Sequence, residues 1–392
     1  MFLTLSLRLL FLIVGLITAG SFIPAKTTVL NTQGEPLLPA IELDLTKKPD
    51  GKEANEEMEE KADSKTKTLT QNDSERETQK NPDEPKETGA AQKSKETIIL
   101  ELIPFPRAQT SEVSFSEINE DIRSSLVNIL CRNTSGSVGA VSGSGIFIDE
   151  RGVILTNAHL AQFLLLSEDP KGSSISCTIR TGSPAQNTYR ARILYISPNW
   201  VATNAHQIAS ENPTGTGEND FALLLVTEAI GTNEIPSSFP AHSLSIESTR
   251  ITEGDNVLAA AYPAGFLGSI SVNKNLFAAS SVTKIEELFT FEGQTLDLLS
   301  LGSTIIAQAG SSGGAVVSNE NKVIGLIVTS TSEETTDARI LRAITIGHIN
   351  RALLKETNVP LSGYLQGNLE VRANSFAQEI APQLRELLYL NI

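Results

Sequence analysis

From Phe115 to Lys355 the chain is a succession of short β-branched and apolar runs set between Gly, Ser, Asn and Pro. They are Leu126–Leu130, Gly145–Ile148, Gly152–Thr156, Cys177–Ile179, Ala191–Ile196, Phe221–Val226, Asn256–Ala261, Leu298–Ile306, Ala315–Val317 and Val323–Thr329. Runs of this length bounded by turn residues are strand signals. No long amphipathic stretch separates consecutive runs, which disfavours a parallel sheet wound through helices. Many short antiparallel strands predict an all-β fold, a barrel or sandwich in two halves.

The chain ahead of this region reads differently. Met1 to Ile23 carries Arg8, an apolar run from Leu9 to Ile17, then Thr18-Ala19-Gly20-Ser21. A basic start, an apolar core and small residues behind it describe a secretory signal that is cleaved after Gly20, or an uncleaved membrane anchor. Either places the bulk of the chain outside the cytoplasm, secreted, periplasmic or anchored, with membrane contact only through this segment if it is uncleaved. Residues 24–112 are mostly polar, and Lys47 to Thr97 is dense in charge with almost no large apolar side chains. Such a stretch cannot bury enough surface to offset the entropy of ordering, and a disordered, solvated linker is expected.

Composition narrows the function. With 46 acidic and 31 basic side chains, a net charge of −15 and no local basic face, the chain is not built to hold nucleic acid. Four dispersed His and two Cys lack the clustered spacing of a metal site, so no metal or cofactor is expected. Cys131 ends one predicted strand and Cys177 lies in another. In an oxidising compartment the pair can form a disulfide; two buried free thiols are the alternative.

Three motifs carry chemistry. Gly143-Ser144-Gly145-Ile146-Phe147-Ile148-Asp149 leads through a turn at Arg151-Gly152 into Val153-Ile154-Leu155-Thr156-Asn157-Ala158-His159. This sets a His just past a strand end. Asn219-Asp220 opens the apolar strand Phe221–Val226, where a carboxylate drawn inward needs a donor such as an imidazole N–H. Gly310-Ser311-Ser312-Gly313-Gly314 precedes Ala315-Val316-Val317. Glycines around a serine allow a tight turn that gathers N–H groups at one point. A nucleophilic serine needs such donors, a base and a carboxylate to orient the base. Each motif alone has a bland reading as a surface His, a turn Asp or a flexible loop; their order and flanks together argue against it.

With those residues in view, Leu126 to Asn350 resembles the chymotrypsin/trypsin-like serine protease fold, closest to the bacterial Deg/HtrA-like branch. GSGIFIDERGVILTNAH is similar to that branch's His motif, NDFALLLV to its Asp motif and GSSGGAVV to its Ser motif. Glu253 to Gly265 resembles the segment opening its second barrel. The resemblance implies two antiparallel six-stranded β-barrels with short helices and an active site between them. The protease domain would span 113–356, with barrel one at about 113–245 and barrel two at about 246–356. It implies His159 as general base, Asp220 as orienting carboxylate and Ser312 as nucleophile, with an oxyanion hole from the N–H groups of Gly310 and Ser312. Val328-Thr329-Ser330 would pair with the substrate backbone, and Ile306 would help floor the specificity pocket. The implied activity is a serine endopeptidase acting on polypeptides through an acyl-enzyme.

The chain departs from the family pattern at Ser311, where relatives carry Asp or Asn, and at Ala315, where Pro is common. Ser311 leaves no acid to pair with a new N-terminus, so zymogen cleavage is not expected. The absence of a carboxylate at Ile306 points to small or medium aliphatic side chains at the cleavage position. Thr203-Asn204-Ala205-His206 repeats Thr156-Asn157-Ala158-His159, but without the preceding strand pair and close before Asp220. His159 is therefore the expected base; His242 and His348, with no motif around them, read as structural or exposed. A GxSxG nucleophile elbow is excluded because His and Asp precede the serine. The tail, 357–392, offers Phe376, Ile380, Leu384, Leu387 and Leu388 at helical spacing with Asn374 or Ser375 as cap. It predicts an amphipathic helix packed on the barrels, with self-association as the alternative and no room for PDZ domains. A second reading of the whole is an inactive protease fold serving as a binding or scaffold module at the cell surface.

Overall fold

A computed structural model describes residues 113–133, 140–210, 215–247, 250–265, 275–291, 293–330 and 340–392. The expected signal or anchor (1–23) and linker (24–112) lie outside the described residues.

The described chain opens with α1 (Phe115–Ser125), a helix not anticipated from the apolar runs. Ser114 and Glu117 form a capping box at its start, and Ile118 and Ile122, one turn apart, are fully buried. Six strands follow: β1 (Leu126–Asn133), β2 (Val141–Asp149), β3 (Val153–Thr156), β4 (Ile175–Thr181), β5 (Gln186–Ile196) and β6 (Ala222–Ala229). They close into a barrel in the order β1-β2-β3-β6-β5-β4, every pairing antiparallel. Two helices interrupt the strands, α2 (Ala158–Ser167) and α3 (Pro198–Asn204), the latter capped by Ser197. In β1 and β4 the register sets Cys131 opposite Cys177, and the two are joined as a disulfide.

The second half holds β7 (Asn256–Ala261), β8 (Ala279–Lys284), β9 (Glu287–Phe289), β10 (Leu298–Ser303), β11 (Ala315–Val317), β12 (Val323–Ser330) and β13 (Ile340–Thr345). Their hydrogen-bonded order is β8-β7-β11-β12-β13-β10-β9, seven strands where the family pattern leads one to expect six. The difference comes from one bent strand. β8 and β9 are separated only by Ile285-Glu286; the Ile285 N–H still bonds Asp255 next to β7, and the Glu286 N–H already bonds Ser300 of β10. The sheet therefore curls until its two ends are consecutive pieces of chain, and counting the bent strand once gives a ring of six.

Strand alternation sorts the apolar side chains into three clusters. Ile154, Leu224 and Val226 join a cluster drawn from the first half and the C-terminal helices. Val257, Ala259, Val316 and Ile327 join one confined to the second half. Their strand neighbours Val153, Leu155, Leu223, Leu225, Leu258, Ala260, Ala315 and Leu326 form a cluster that draws on both halves. The central strands are thus buried on both faces.

After β13 come α4 (Ile346–Thr357), α5 (Leu361–Tyr364), α6 (Leu369–Glu379) and α7 (Ala381–Tyr389). The tail forms two main helices rather than one, because Pro382 opens α7, and the cap of α6 is Asn368 rather than Asn374 or Ser375. Phe376, Leu384 and Leu388 are buried in the first-half cluster, as packing on the barrels requires. Glu356 of α4 reaches the first barrel, where Tyr195, Ser197 and Asn199 donate to its carboxylate. Burial pushes that carboxyl above its ordinary pKa.

The disulfide closes a loop with a sequence separation of 46, so the Cys131→Ser/Cys177→Ser variant should lose about 2–4 kcal/mol in urea unfolding. His242 is 4 % exposed, 3.8 Å from Asp121, and burial lowers its pKa from the ordinary 6.5. Below that value the unfolded chain binds a proton that the folded chain resists, so stability falls as the medium is acidified from there through the folded pKa. Thermal unfolding between pH 7.5 and 5 should show this loss, and His242→Gln should flatten it.

Candidate active site

The centre of the site is a bidentate contact between His159 and Asp220. His159 is the second residue of α2, where backbone N–H groups lack partners inside the helix. Its N–H donates to Asp220 Oδ1 at 2.9 Å, and its ring Nδ1–H donates to Asp220 Oδ2 at 2.7 Å. One carboxylate therefore caps the helix and holds the imidazole, which leaves Nε2 as the acceptor nitrogen. Asn157, at the N-cap position, makes no side-chain cap bond; its Nδ2 donates to the Asp220 C=O at 2.8 Å instead. The Asp220 side chain is 6 % exposed and the His159 side chain 24 %, so the carboxylate is buried while the imidazole stays partly open to solvent.

Asp220 is delivered by a tight turn just ahead of β6. Its N–H bonds the Gly217 C=O, and Asn219 takes a left-handed conformation (φ 57°), one that Asn tolerates. This turn lies against the other half of the fold, since a Cβ at Gly217 would be 2.7 Å from Val328 Cγ2.

Ser312 stands, half-buried, on the turn that precedes β11. Its C=O accepts the Ser144 N–H of β2 at 2.7 Å. The next residue, Gly313, is in the left-handed region (φ 85°), and a Cβ there would lie 1.9 Å from the Ser144 oxygen and 2.7 Å from Thr156 Oγ1. The turn is thus pressed onto β2 and onto the end of β3, three residues before His159. No hydrogen bond joins Ser312 Oγ to His159 in this arrangement; such bonds often tighten only when substrate is bound. The N–H groups of Gly310 and Ser312 have no acceptor among the described residues.

The remaining expected residues fall as follows. Val328 is buried, and Thr329 and Ser330 pair through their backbones with Arg342 and Leu341 of β13. On the opposite edge β12 pairs with β11 only as far as Leu326, and Gly313 and Gly314 bond Ile327. Ile306 is fully buried in the second-half cluster, closed off from solvent. His206 is exposed on a single turn of 3-10 helix (Ala205–Gln207) after α3, away from the dyad's hydrogen bonds. His242 and His348 are both buried; His348 Nδ1 lies 3.2 Å from Asp297, which also accepts from Arg351. Among the described residues no group of His, Cys, Asp and Glu is placed to hold a metal. Asn157 and Ser144 both lie inside the His motif, but nothing in their local sequence marks either as a site residue.

A closed six-stranded barrel beside a curled six-membered ring, with His and Asp from the first and a glycine-flanked Ser from the second, is the chymotrypsin/trypsin-like serine protease fold. Residues 143–326 match the trypsin-like peptidase domain family, a span that takes in His159, Asp220 and Ser312. No match is found among curated proteins. The match supports a serine-protease-type function for this span.

Gly313→Ala tests how tightly the two halves meet here. The added Cβ faces both the Ser144 oxygen and an unfavourable φ, so urea unfolding should show a loss of at least about 2 kcal/mol.

Proposed function

We propose that the protein is an extracytoplasmic serine endopeptidase, nearest within its class to the Deg/HtrA-like branch, with Ser312 as nucleophile, His159 as base and Asp220 as orienting carboxylate. The observation that carries this reading is the bidentate His159–Asp220 contact, because it fixes both ring direction and tautomer. With Nδ1–H committed to Asp220, Nε2 takes the Ser312 proton as Oγ bonds to the peptide carbonyl carbon. The oxyanion that forms is met by the N–H groups of Gly310 and Ser312. His159 passes the proton to the leaving amine as the C–N bond breaks, leaving Ser312 acylated. Water then loses a proton to Nε2 as it attacks the acyl carbon, and the C–Oγ bond breaks as Nε2 returns that proton to Ser312 Oγ, releasing the acid. No cofactor enters these steps.

The substrate class is polypeptide. From Val328 to Ser330 the edge of β12 facing Ser312 has no strand partner among the described residues, which suits pairing with an extended main chain. Ile306 is closed off from solvent and offers no substrate surface itself, but the lack of a carboxylate at that position favours small or medium aliphatic side chains at the cleavage position over basic ones. The Cys131–Cys177 bond and the Met1–Ile23 sequence support a place outside the cytoplasm. Among the described residues no helix is long and apolar enough to cross a membrane.

A second reading, an inactive binding or scaffold module, is favoured by one observation: Ser312 Oγ and His159 share no hydrogen bond here. A fluorophosphonate probe separates the two. Labelling of the purified protein that disappears in Ser312→Ala is the expected result. Absence of labelling across neutral pH, from protein shown to be folded, would favour the scaffold.

A further inference from the structure

We infer that the Ser144 side chain is a positioning residue that sets the oxyanion-binding N–H of Gly310 from across the cleft. This inference rests on the reading of Ser312 as the nucleophile. Ser144 is fully buried in β2. Oγ–H donates to the Gly310 C=O at 2.8 Å, and Oγ accepts the Tyr262 N–H at 2.9 Å. One hydroxyl of the first half thereby joins two backbone segments of the second.

The consequence lies in the peptide planes on either side of Gly310. The Ala309 C=O accepts the Ala264 N–H at 2.7 Å. In a trans peptide the C=O and the following N–H point in opposite directions, so the Gly310 N–H is turned away from Ala264. The next plane is held by Ser144 through the Gly310 C=O. Both planes depend on the Tyr262–Ala264 segment staying where it is. Gly310 is in the left-handed region (φ 92°), and a Cβ there would lie 2.8 Å from the Tyr262 oxygen and 2.9 Å from the Ala264 nitrogen. That close approach is clamped by the Ser144–Tyr262 bond.

Ser311 shows why a clamp from outside the loop matters. Relatives in the resembling family carry Asp or Asn there, yet the Ser311 Oγ is buried and has no hydrogen-bond partner among the described residues. The residue beside the nucleophile contributes no side-chain anchor to its own loop. Ser144 supplies one from the opposite barrel, so the oxyanion groups are in register only when the two halves are.

The test uses saturation kinetics of a fluorophosphonate on the full chain, together with amide hydrogen exchange. Ser144→Ala should lower the limiting phosphonylation rate on the order of 10–100-fold while the half-saturating probe concentration stays within about 3-fold. A general loss of fold would not produce that split. Ser144→Cys, close in size and a weak donor, should fall between the two and carries the test if Ser144→Ala does not fold. Exchange at the Tyr262 and Ala264 amides, read without any catalysis, should speed at least 10-fold in Ser144→Ala while β7 amides keep their protection. A folded variant with wild-type labelling and wild-type exchange overturns the inference. If the wild type takes no label and Ser144→Ala still loses protection at these amides, the clamp stands and the nucleophile reading fails. If the wild type takes no label and protection is unchanged, both fail.

Discussion

At the cleft two backbone segments from opposite halves lie in direct contact, and the site depends on that contact. The Ser144 N–H reaches the Ser312 carbonyl, and Gly313 sits so close to the Ser144 oxygen that no side chain fits between them. Thr156 Oγ1 donates to the same Ser144 oxygen at 2.7 Å, so the end of β3 is tied in as well. His159 follows three residues later. The spacing between His159 and Ser312 is therefore set by a short path of buried hydrogen bonds rather than by long side chains, which gives little freedom for drift. The cluster of apolar side chains that draws on both halves supports this contact from behind.

Asp220 shows how one buried charge is made tolerable. A carboxylate at 4 % exposure needs donors at both oxygens, and it finds a helix N-terminal N–H and an imidazole N–H. The strand that follows, β6, is buried on both faces, which holds the turn at Gly217 to Asp220 against Val328. The same carboxylate thus closes a helix end, orients a ring and marks where the halves touch. Losing any one of these would loosen the other two.

What could be read from sequence tracks local apolar content. Asn256–Ala261 and Ala315–Val317 coincide with β7 and β11, because strands buried on both faces are apolar throughout. β8 escaped notice because Ala279–Lys284 is partly exposed and carries Ser, Thr and Lys. α2 escaped for the opposite reason: its residues Leu160 to Leu166 are all buried, so no polar face marks a helical period. α3, short and opened by Pro198, lies in a stretch that reads as a loop. The His, Asp and Ser motifs were legible because each pairs a functional residue with its own strand and turn. The Ser144 clamp was not, since it joins positions 166 residues apart and only the folded barrels bring them together.

The most direct test of this account is a crystal structure of the protein after reaction with a fluorophosphonate. The account predicts a covalent bond from Ser312 Oγ to phosphorus, with the phosphonyl oxygen about 2.7–3.1 Å from the N–H groups of both Gly310 and Ser312. His159 should remain bound to Asp220 through Nδ1 with its Nε2 facing the adduct. Label on another residue, or a phosphonyl oxygen turned away from both N–H groups, would contradict it.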